Sequence, residues 1–112
     1  MTTIPAGPVG DFINATNRHD ADALLTVFAP SATVSDDGAT YTGPTEIKEW
    51  IQEHQIAPRI TLAPTSYTNM DDGAVVLTAS ADGEFPGGPL PFAFEFILDA
   101  GRIAALSIRF TN

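Results

Sequence analysis

The sequence predicts an α+β domain in which three N-terminal helices pack on a strongly curved, mostly antiparallel sheet. Between Phe12 and His54, apolar residues recur at helical spacing in three short segments. From Arg59 onward, apolar residues instead alternate with a period of two, as they do in strands. Because the helices come first and the sheet curls afterwards, we expect a cone that encloses a central pocket.

Composition limits the classes of partner. At 112 residues the chain is expected to form one domain, residues 1–112, with a modest hydrophobic core. Its 14 acidic and five basic residues give a net charge of −9, which repels nucleic-acid phosphates and anionic membranes. We therefore expect neither a nucleic acid nor a membrane surface as a partner.

The chain contains no cysteine, which excludes disulfides, thiol catalysis and thiolate metal sites. Its first residues lack the basic and apolar regions of a signal peptide. Its apolar runs are also far shorter than the roughly 20 residues that cross a bilayer. These features favour a cytoplasmic location.

Two short helices are predicted at the start of the chain. The first begins near Pro8, which suits the first position of a helix, and it carries Phe12 on its apolar face. Asp20 is expected to cap the second helix, and Pro30 to end it. His19 lies at the junction of the two helices, where a structural role is expected.

A short hairpin and a third helix follow. The segments Ala32–Ser35 and Ala39–Thr42 are predicted strands around the turn pair Asp37-Gly38. The third helix opens at Gly43-Pro44 and ends before Pro58. Its apolar stripe is predicted to contain Ile47, Trp50, Ile51 and His54.

Four strands are predicted in the rest of the chain. They span about 60–69, 74–82, 90–99 and 102–110. Pro64 indicates an edge strand or a bulge in the first of them, because proline cannot donate to a β-ladder. The last two strands are apolar on both faces, with Ile103 expected opposite Leu106. Since the helices can cover only one face, we expect a homodimer through the outer face of the sheet.

Three motifs between residues 12 and 51 resemble those of one superfamily. They are the run NRHDADALL, the F-A-x-x-A-T-V segment that leads into the first strand, and the G-P-x-x-I-K-x-W start of the third helix. They resemble the SnoaL-like and ketosteroid-isomerase-like superfamily, which has the nuclear transport factor 2-like cone fold. The resemblance implies a small dimer with an apolar pocket. The members of this superfamily are isomerases, polyketide cyclases, dehydratases, epoxide hydrolases and noncatalytic binding domains, so the fold does not determine the function.

The resemblance also implies site positions. The proton-abstracting aspartate of the steroid-isomerase pattern matches Asp36. Two oxyanion-hole positions match Phe12 and Phe94, and a supporting tyrosine matches Ile51, so all three are apolar here. Because stabilisation of a dienolate depends on such donors, ketosteroid isomerisation is disfavoured. The pocket positions of the last strand match Leu106, Ile108 and Phe110.

Asp36 is the first candidate for a catalytic residue, as a general base or acid. A carboxylate at the edge of an apolar pocket is suited to acid–base chemistry near neutral pH. The alternative is that Asp36-Asp37-Gly38 is only a turn. Asp71-Asp72-Gly73 repeats the same tripeptide between two predicted strands, which supports that alternative.

His54 is the second catalytic candidate, because a histidine transfers protons near neutral pH, although a histidine at such a position more often caps the helix end or packs. Trp50 and Tyr41 could bind a ring system, although Trp50 could also be plain core. The hydroxyl of Tyr41 or Tyr67 could replace the hydrogen-bond donors that are absent at the apolar family positions. No metal is predicted, since the two histidines share no ligand spacing, and no cofactor is implied.

These features predict a protein that binds a small, mostly apolar molecule in the pocket. Cofactor-independent acid–base chemistry led by Asp36 would then be isomerisation, cyclisation, dehydration or epoxide opening. The alternative is a noncatalytic ligand-binding or dimerisation module whose pocket is filled by phenylalanines. These are Phe12, Phe92, Phe94, Phe96 and Phe110. A scaffold for partner proteins is a third possibility, and no motif supports it.

Overall fold

The structure, a computed structural model, describes residues 7–36, 38–70 and 72–111. Three helices lie in the first half of the chain: α1 (Pro8–Asn17), α2 (Ala21–Thr26) and α3 (Gly43–Ile51). A π-helical segment, Gln52–Ile56, continues α3. The six strands are β1 (Phe28–Asp36), β2 (Ala39–Thr42), β3 (Thr61–Asn69), β4 (Ala74–Asp82), β5 (Leu90–Asp99) and β6 (Arg102–Phe110).

All six strands form one sheet in the order β2-β1-β6-β5-β4-β3. Neighbouring strands are antiparallel except β1 and β6, which are parallel. Together with the three helices, this curved sheet confirms the predicted α+β arrangement. Among the described residues, no helix is long and apolar enough to cross a membrane.

The first two helices begin as predicted. Pro8 lies in the first turn of α1, and the Asp20 side chain caps α2 by accepting a hydrogen bond from Ala23 N at 3.1 Å. Pro30 does not end α2, however, because that helix stops at Thr26 and Pro30 lies within β1. The strand therefore starts earlier than the predicted Ala32.

This early start is possible because β1 pairs irregularly with β6. The register between the two strands shifts between Phe28 and Thr33, which leaves the proline outside the regular ladder. Ile103 N also donates to Val27 O at 2.8 Å, so β6 meets the chain before β1 formally begins.

The predicted apolar stripe of α3 is wrong at its last position. Ile51 and the residues before it on the stripe are buried, but His54 is exposed and Gln55 is buried in its place. Backbone bonds span five residues here, for example from Ala57 N to Gln52 O at 2.9 Å. Because a π-helical turn holds an extra residue, the buried position moves from His54 to Gln55.

Strands β3 to β6 lie within one residue of their predicted spans. Both expectations for Pro64 are confirmed, since β3 is an edge strand and its register with β4 shifts between Pro64 and Ser66. The predicted turn pair around Gly38 is described only in part, because Asp37 lies outside the described residues, as does Asp71.

Ile103 and Leu106 lie on the same buried face, which corrects the expectation that they oppose each other. The register of β5 with β6 shifts between Ile97 and Leu98, so Ala104 is an extra residue in β6. Such a bulge returns the following side chains to the face they would otherwise leave. The outer face of the sheet is therefore less apolar than simple alternation predicts.

Asn17 attaches the edge strand β3 to the end of α1. Its side-chain nitrogen donates to Leu62 O at 3.0 Å, and its side-chain oxygen accepts from Leu62 N at 2.7 Å. The backbone N–H and C=O groups of Leu62 are thus both hydrogen-bonded, although β3 is an edge strand of the sheet. The pair fixes Leu62 with its side chain in the core.

Candidate functional site

A cavity of about 340 Å³ lies beside the π-helical segment. This volume falls within the range of small-molecule sites, roughly 300–1,000 Å³. Most of the wall is apolar, formed by Pro58, Ile60, Leu62, Ala81, Phe85, Leu90, Phe92, Phe94 and Ile108. The polar side chains in the wall belong to Asp36, Glu53, His54 and Gln55.

Asp36 reaches the cavity from the end of β1. It pairs with Ala39 of β2 on one side and with Ile108 of β6 on the other. Its Oδ2 atom accepts a hydrogen bond from Trp50 Nε1 at 3.0 Å. Within the described residues no other donor bonds to this carboxylate, so one oxygen is held and the other is available to a bound molecule.

Trp50 is a core residue that orients Asp36. The indole is fully buried, and it packs edge-on against Phe28 with ring centroids 6.3 Å apart. Since the ring is fixed by packing, its N–H points in a constant direction. The sequence suggested Trp50 as a ligand contact or as core, and the structure places it in the core.

Within the described residues, the carboxylate of Asp36 bonds to no residue of its own turn. In the tripeptide at 71–73, the second aspartate, Asp72, accepts from Ala74 N at 3.1 Å through its Oδ1 atom, which is ordinary turn chemistry; its counterpart at 36–38 is Asp37, which lies outside the described residues. Asp36 instead bonds to a helix 14 residues later in the chain.

His54 lies at the cavity wall but is exposed. Its Nε2 atom is 3.3 Å from the hydroxyl of Tyr41 on β2. The Tyr41 hydroxyl is thus directed to His54, and Tyr41 is not part of the cavity wall. Tyr67 is likewise outside the wall, on the exposed strand β3.

The predicted ligand-binding residues divide into two groups. Phe94 and Ile108 line the cavity, and the 52% exposed Phe110 lines a wider depression that shares Asp36 and His54 with it. Apart from the partly buried Tyr41, the others are buried core residues outside the cavity wall: Phe12, Trp50, Ile51 and Leu106.

Phenylalanine rings fill the space at Phe12. Its ring centroid lies 5.4 Å from that of Phe96, and 6.2 Å from those of Phe28 and Phe94. These edge-on and tilted contacts are favourable for aromatic rings and leave no polar group there. Aromatic rings therefore pack the region around Phe12, while the cavity beside Asp36 stays open.

Several residues of the cavity wall were not predicted from the sequence. Phe85 lies in the loop 83–89, where a lone apolar residue among glycines and prolines was the available signal. That loop docks tightly, since Glu84 N donates to Pro58 O at 2.6 Å and a Cβ on Gly83 would lie 2.7 Å from the same oxygen. No sequence pattern indicated that Gln55 lines the cavity, because its inward position depends on the π-helical turn.

The wall carries negative rather than positive charge. Asp36 and Glu53 contribute carboxylates, and the described residues place no lysine or arginine in this wall. Arg109 lines only the wider depression outside. The described residues also contain no cluster of three or more histidine, aspartate or glutamate side chains that could hold a metal ion.

Comparisons with known proteins agree with this fold. A Sinorhizobium meliloti protein provisionally described as a polyketide cyclase is 33% identical over 91% of this chain and 93% of its own, with a TM-score of 0.84. SalBIII, an epoxide hydrolase/cyclase-like enzyme in pyran ring formation of the polyether salinomycin, is 19% identical over 93% and 88% of the two chains, with a TM-score of 0.84.

A Mycobacterium tuberculosis protein solved with estradiol-17β-hemisuccinate is 16% identical over 95% of each chain, with a TM-score of 0.82. At these lower identities the likeness of the last two proteins shows the fold alone. No curated protein matches the sequence. The family model of the SnoaL-like domain matches residues 9–106. The chain therefore belongs to the SnoaL-like domain family and has the nuclear transport factor 2-like fold of the ketosteroid-isomerase-like proteins.

Proposed function

We propose that the protein binds a small, mostly apolar molecule in the cavity and that Asp36 supplies acid–base chemistry there without a cofactor. The observation that carries this proposal is a carboxylate in an apolar wall, with one oxygen held by Trp50. Apolar neighbours favour an apolar guest through the hydrophobic effect. The free carboxylate oxygen is then the natural proton acceptor.

The packing around Phe12 narrows the reaction class. The dienolate of steroid isomerisation needs hydrogen-bond donors at two fixed positions, and the rings of Phe12 and Phe94 occupy the matching positions. Cyclisation, dehydration or epoxide opening therefore suits the site better than steroid isomerisation. The similarity to a protein described as a polyketide cyclase supports cyclisation among these. His54 is the second candidate for proton transfer, from the edge of the wall.

A substrate panel with the variant Asp36→Asn tests this proposal. Asparagine keeps the shape of the side chain and an oxygen that can accept from Trp50, but it cannot act as the base. With hydroxy-epoxides and hydroxy-enones as probes, we expect calorimetry to show similar affinity for both proteins. Product formation by mass spectrometry should fall about 100-fold or more in the variant.

Asp72→Asn is the matched control, because it changes a carboxylate in an exposed turn. It should leave both binding and turnover unchanged. Equal turnover by wild type and Asp36→Asn would remove Asp36 from the chemistry.

The second candidate function is noncatalytic ligand binding. It is favoured by the phenylalanine cluster around Phe12, which leaves fewer polar groups than a catalytic site commonly has. Binding of the probes without product from any of them would support this candidate over catalysis.

Dimerisation through the outer sheet face is a further proposal. Ile97 is 42% exposed on β5 and lies between Ala74 and Ala105 of the neighbouring strands, which forms a short apolar strip. Light scattering should show a dimer at micromolar concentration, and Ile97→Lys should shift it to monomer. A wild-type monomer would contradict the proposal. A cytoplasmic location also stays a prediction.

A further inference from the structure

Gln55 carries a polar group that the protein itself leaves unsatisfied. The residue is only 6% exposed, and its Oε1 atom is buried without a hydrogen-bond partner within the described residues. No described residue bonds to its amide nitrogen either. A buried carbonyl oxygen without a partner is costly, because it has lost its hydrogen bonds to water; the amide nitrogen of Gln55 is not among the buried atoms that lack a partner. Such a group is retained where a ligand can complete it.

The position of Gln55 connects this amide to the cavity. Gln55 forms part of the wall, as does Asp36, and the π-helical turn is what turns Gln55 rather than His54 inward. The cavity therefore contains a held carboxylate and an amide that nothing in the described chain holds. The rest of the wall is largely apolar, so these groups are the ones that can discriminate between guests of similar shape.

We propose that Gln55 is a specificity-determining residue and that the ligand is a hydroxylated apolar molecule. This inference rests on the proposed binding function of the cavity. A hydroxyl both donates and accepts, so it satisfies the Gln55 amide in either orientation of that group. A hydroxyl can also donate to the free oxygen of Asp36, whereas a ketone or an ether cannot.

The charge of the wall agrees with a neutral ligand. The carboxylates of Asp36 and Glu53 lie there, and the described residues add no lysine or arginine to oppose them. A ligand carboxylate or phosphate would meet like charge there. A neutral alcohol avoids this repulsion and still forms the hydrogen bonds.

Three compact probes of one skeleton test the inference: 2-adamantanol, 2-adamantanone and 2-methoxyadamantane. Calorimetry measures their affinity for the wild type and for Gln55→Met, in which a side chain of similar size lacks the amide. We expect the wild type to prefer the alcohol by about fivefold or more over the ketone and the ether. In Gln55→Met this preference should fall by about half or more, and the part that remains is the part that the free oxygen of Asp36 supplies.

Gln52→Met is the matched control, because Gln52 lies on the same π-helical segment but is exposed and outside the cavity wall. It should keep the full preference for the alcohol. Thermal melts establish that both variants are folded. If Gln55→Met did not fold, Gln55→Leu would replace it, and a reduced alcohol preference there would support the same role.

The outcomes separate the inference from the proposed function. Equal or tighter binding of the ketone by the wild type would overturn the ligand class alone. An unchanged preference in folded Gln55→Met would overturn the role of Gln55. Failure of all three probes to bind would overturn both the inference and the binding function on which it rests.

Discussion

Trp50 and Asp36 are joined by a hydrogen bond of 3.0 Å from the indole Nε1–H to the carboxylate Oδ2. The donor belongs to a fully buried ring, and the acceptor lies in the wall of the cavity. The core of the protein thus fixes the direction of its candidate catalytic group. Preorganisation of this kind is what a functional carboxylate requires.

The first prediction concerns this bond. Trp50→Phe removes the donor and leaves a small void, so the free energy of unfolding should fall by about 2 kcal/mol. Asp36→Asn keeps an acceptor for the indole and should cost less than about 1 kcal/mol. Urea denaturation followed by circular dichroism measures both values. A larger loss for Asp36→Asn than for Trp50→Phe would show that the indole does not hold Asp36 in the way described.

The second prediction concerns stability at Gln55. Replacing a buried amide that lacks partners by an apolar side chain of similar size should be neutral or stabilising. We expect Gln55→Met to raise the free energy of unfolding by about 1 kcal/mol in the absence of ligand. The exposed Gln52→Met should change it by less than about 0.5 kcal/mol. Marked destabilisation by Gln55→Met would show that the amide has a partner in solution.

The third prediction concerns Asn17. Its side chain satisfies both backbone groups of Leu62, so Asn17→Ala leaves two buried or partly buried groups unpaired. The free energy of unfolding should fall by about 2 kcal/mol, and amide exchange at Leu62 should accelerate. Asn14→Ala, an exposed site on the same helix, serves as the control and should have little effect. Unchanged exchange at Leu62 would contradict this attachment of β3.

The fourth prediction concerns the charge of the cavity wall. Adamantane-2-carboxylate should bind more weakly than 2-adamantanol by about tenfold or more, because its charge meets Asp36 and Glu53. Asp36→Asn removes one of these charges, so it should reduce the difference in affinity between 2-adamantanol and adamantane-2-carboxylate. Calorimetry at neutral pH compares the affinities. Tighter binding of the carboxylate to the wild type would indicate a positive group in the site instead.

Most of the fold followed from the sequence because local signals and tertiary structure agreed. Proline at the start of α1, the Asp20 cap and the alternation in β4 each have a direct physical cause, and each is present in the structure. The proline of β3 indicated an edge and a bulge, and both occur. Such features depend on a few neighbouring residues, so they can be predicted without knowledge of the rest of the chain.

The errors arose where one extra residue changes the register. The π-helical turn moved Gln55 inward in place of His54, and the bulge at Ala104 placed Ile103 beside Leu106. Neither irregularity has a sequence pattern as clear as a proline or a glycine. Both change which side chains face inward, so they alter the site more than they alter the fold.

The candidate site was predictable in its leading residue but not in its surroundings. Asp36 was named from its resemblance to a family position, and the structure places it in the cavity wall. Its bond to Trp50 could not be predicted, since it joins a strand end to a helix through tertiary packing. Phe12 and Ile51 were named for the same reason, but both are buried core residues outside the cavity wall.

The most direct test of the cavity as a ligand site is an NMR titration of the Trp50 indole Nε1–H with 2-adamantanol. The chain has one tryptophan, so the signal needs no further assignment. Because Asp36 holds this N–H and also lines the cavity, we expect a saturable shift in the wild type and a different, smaller one in Asp36→Asn. An indole signal that stays unchanged while resonances on the outer sheet face move would contradict the account.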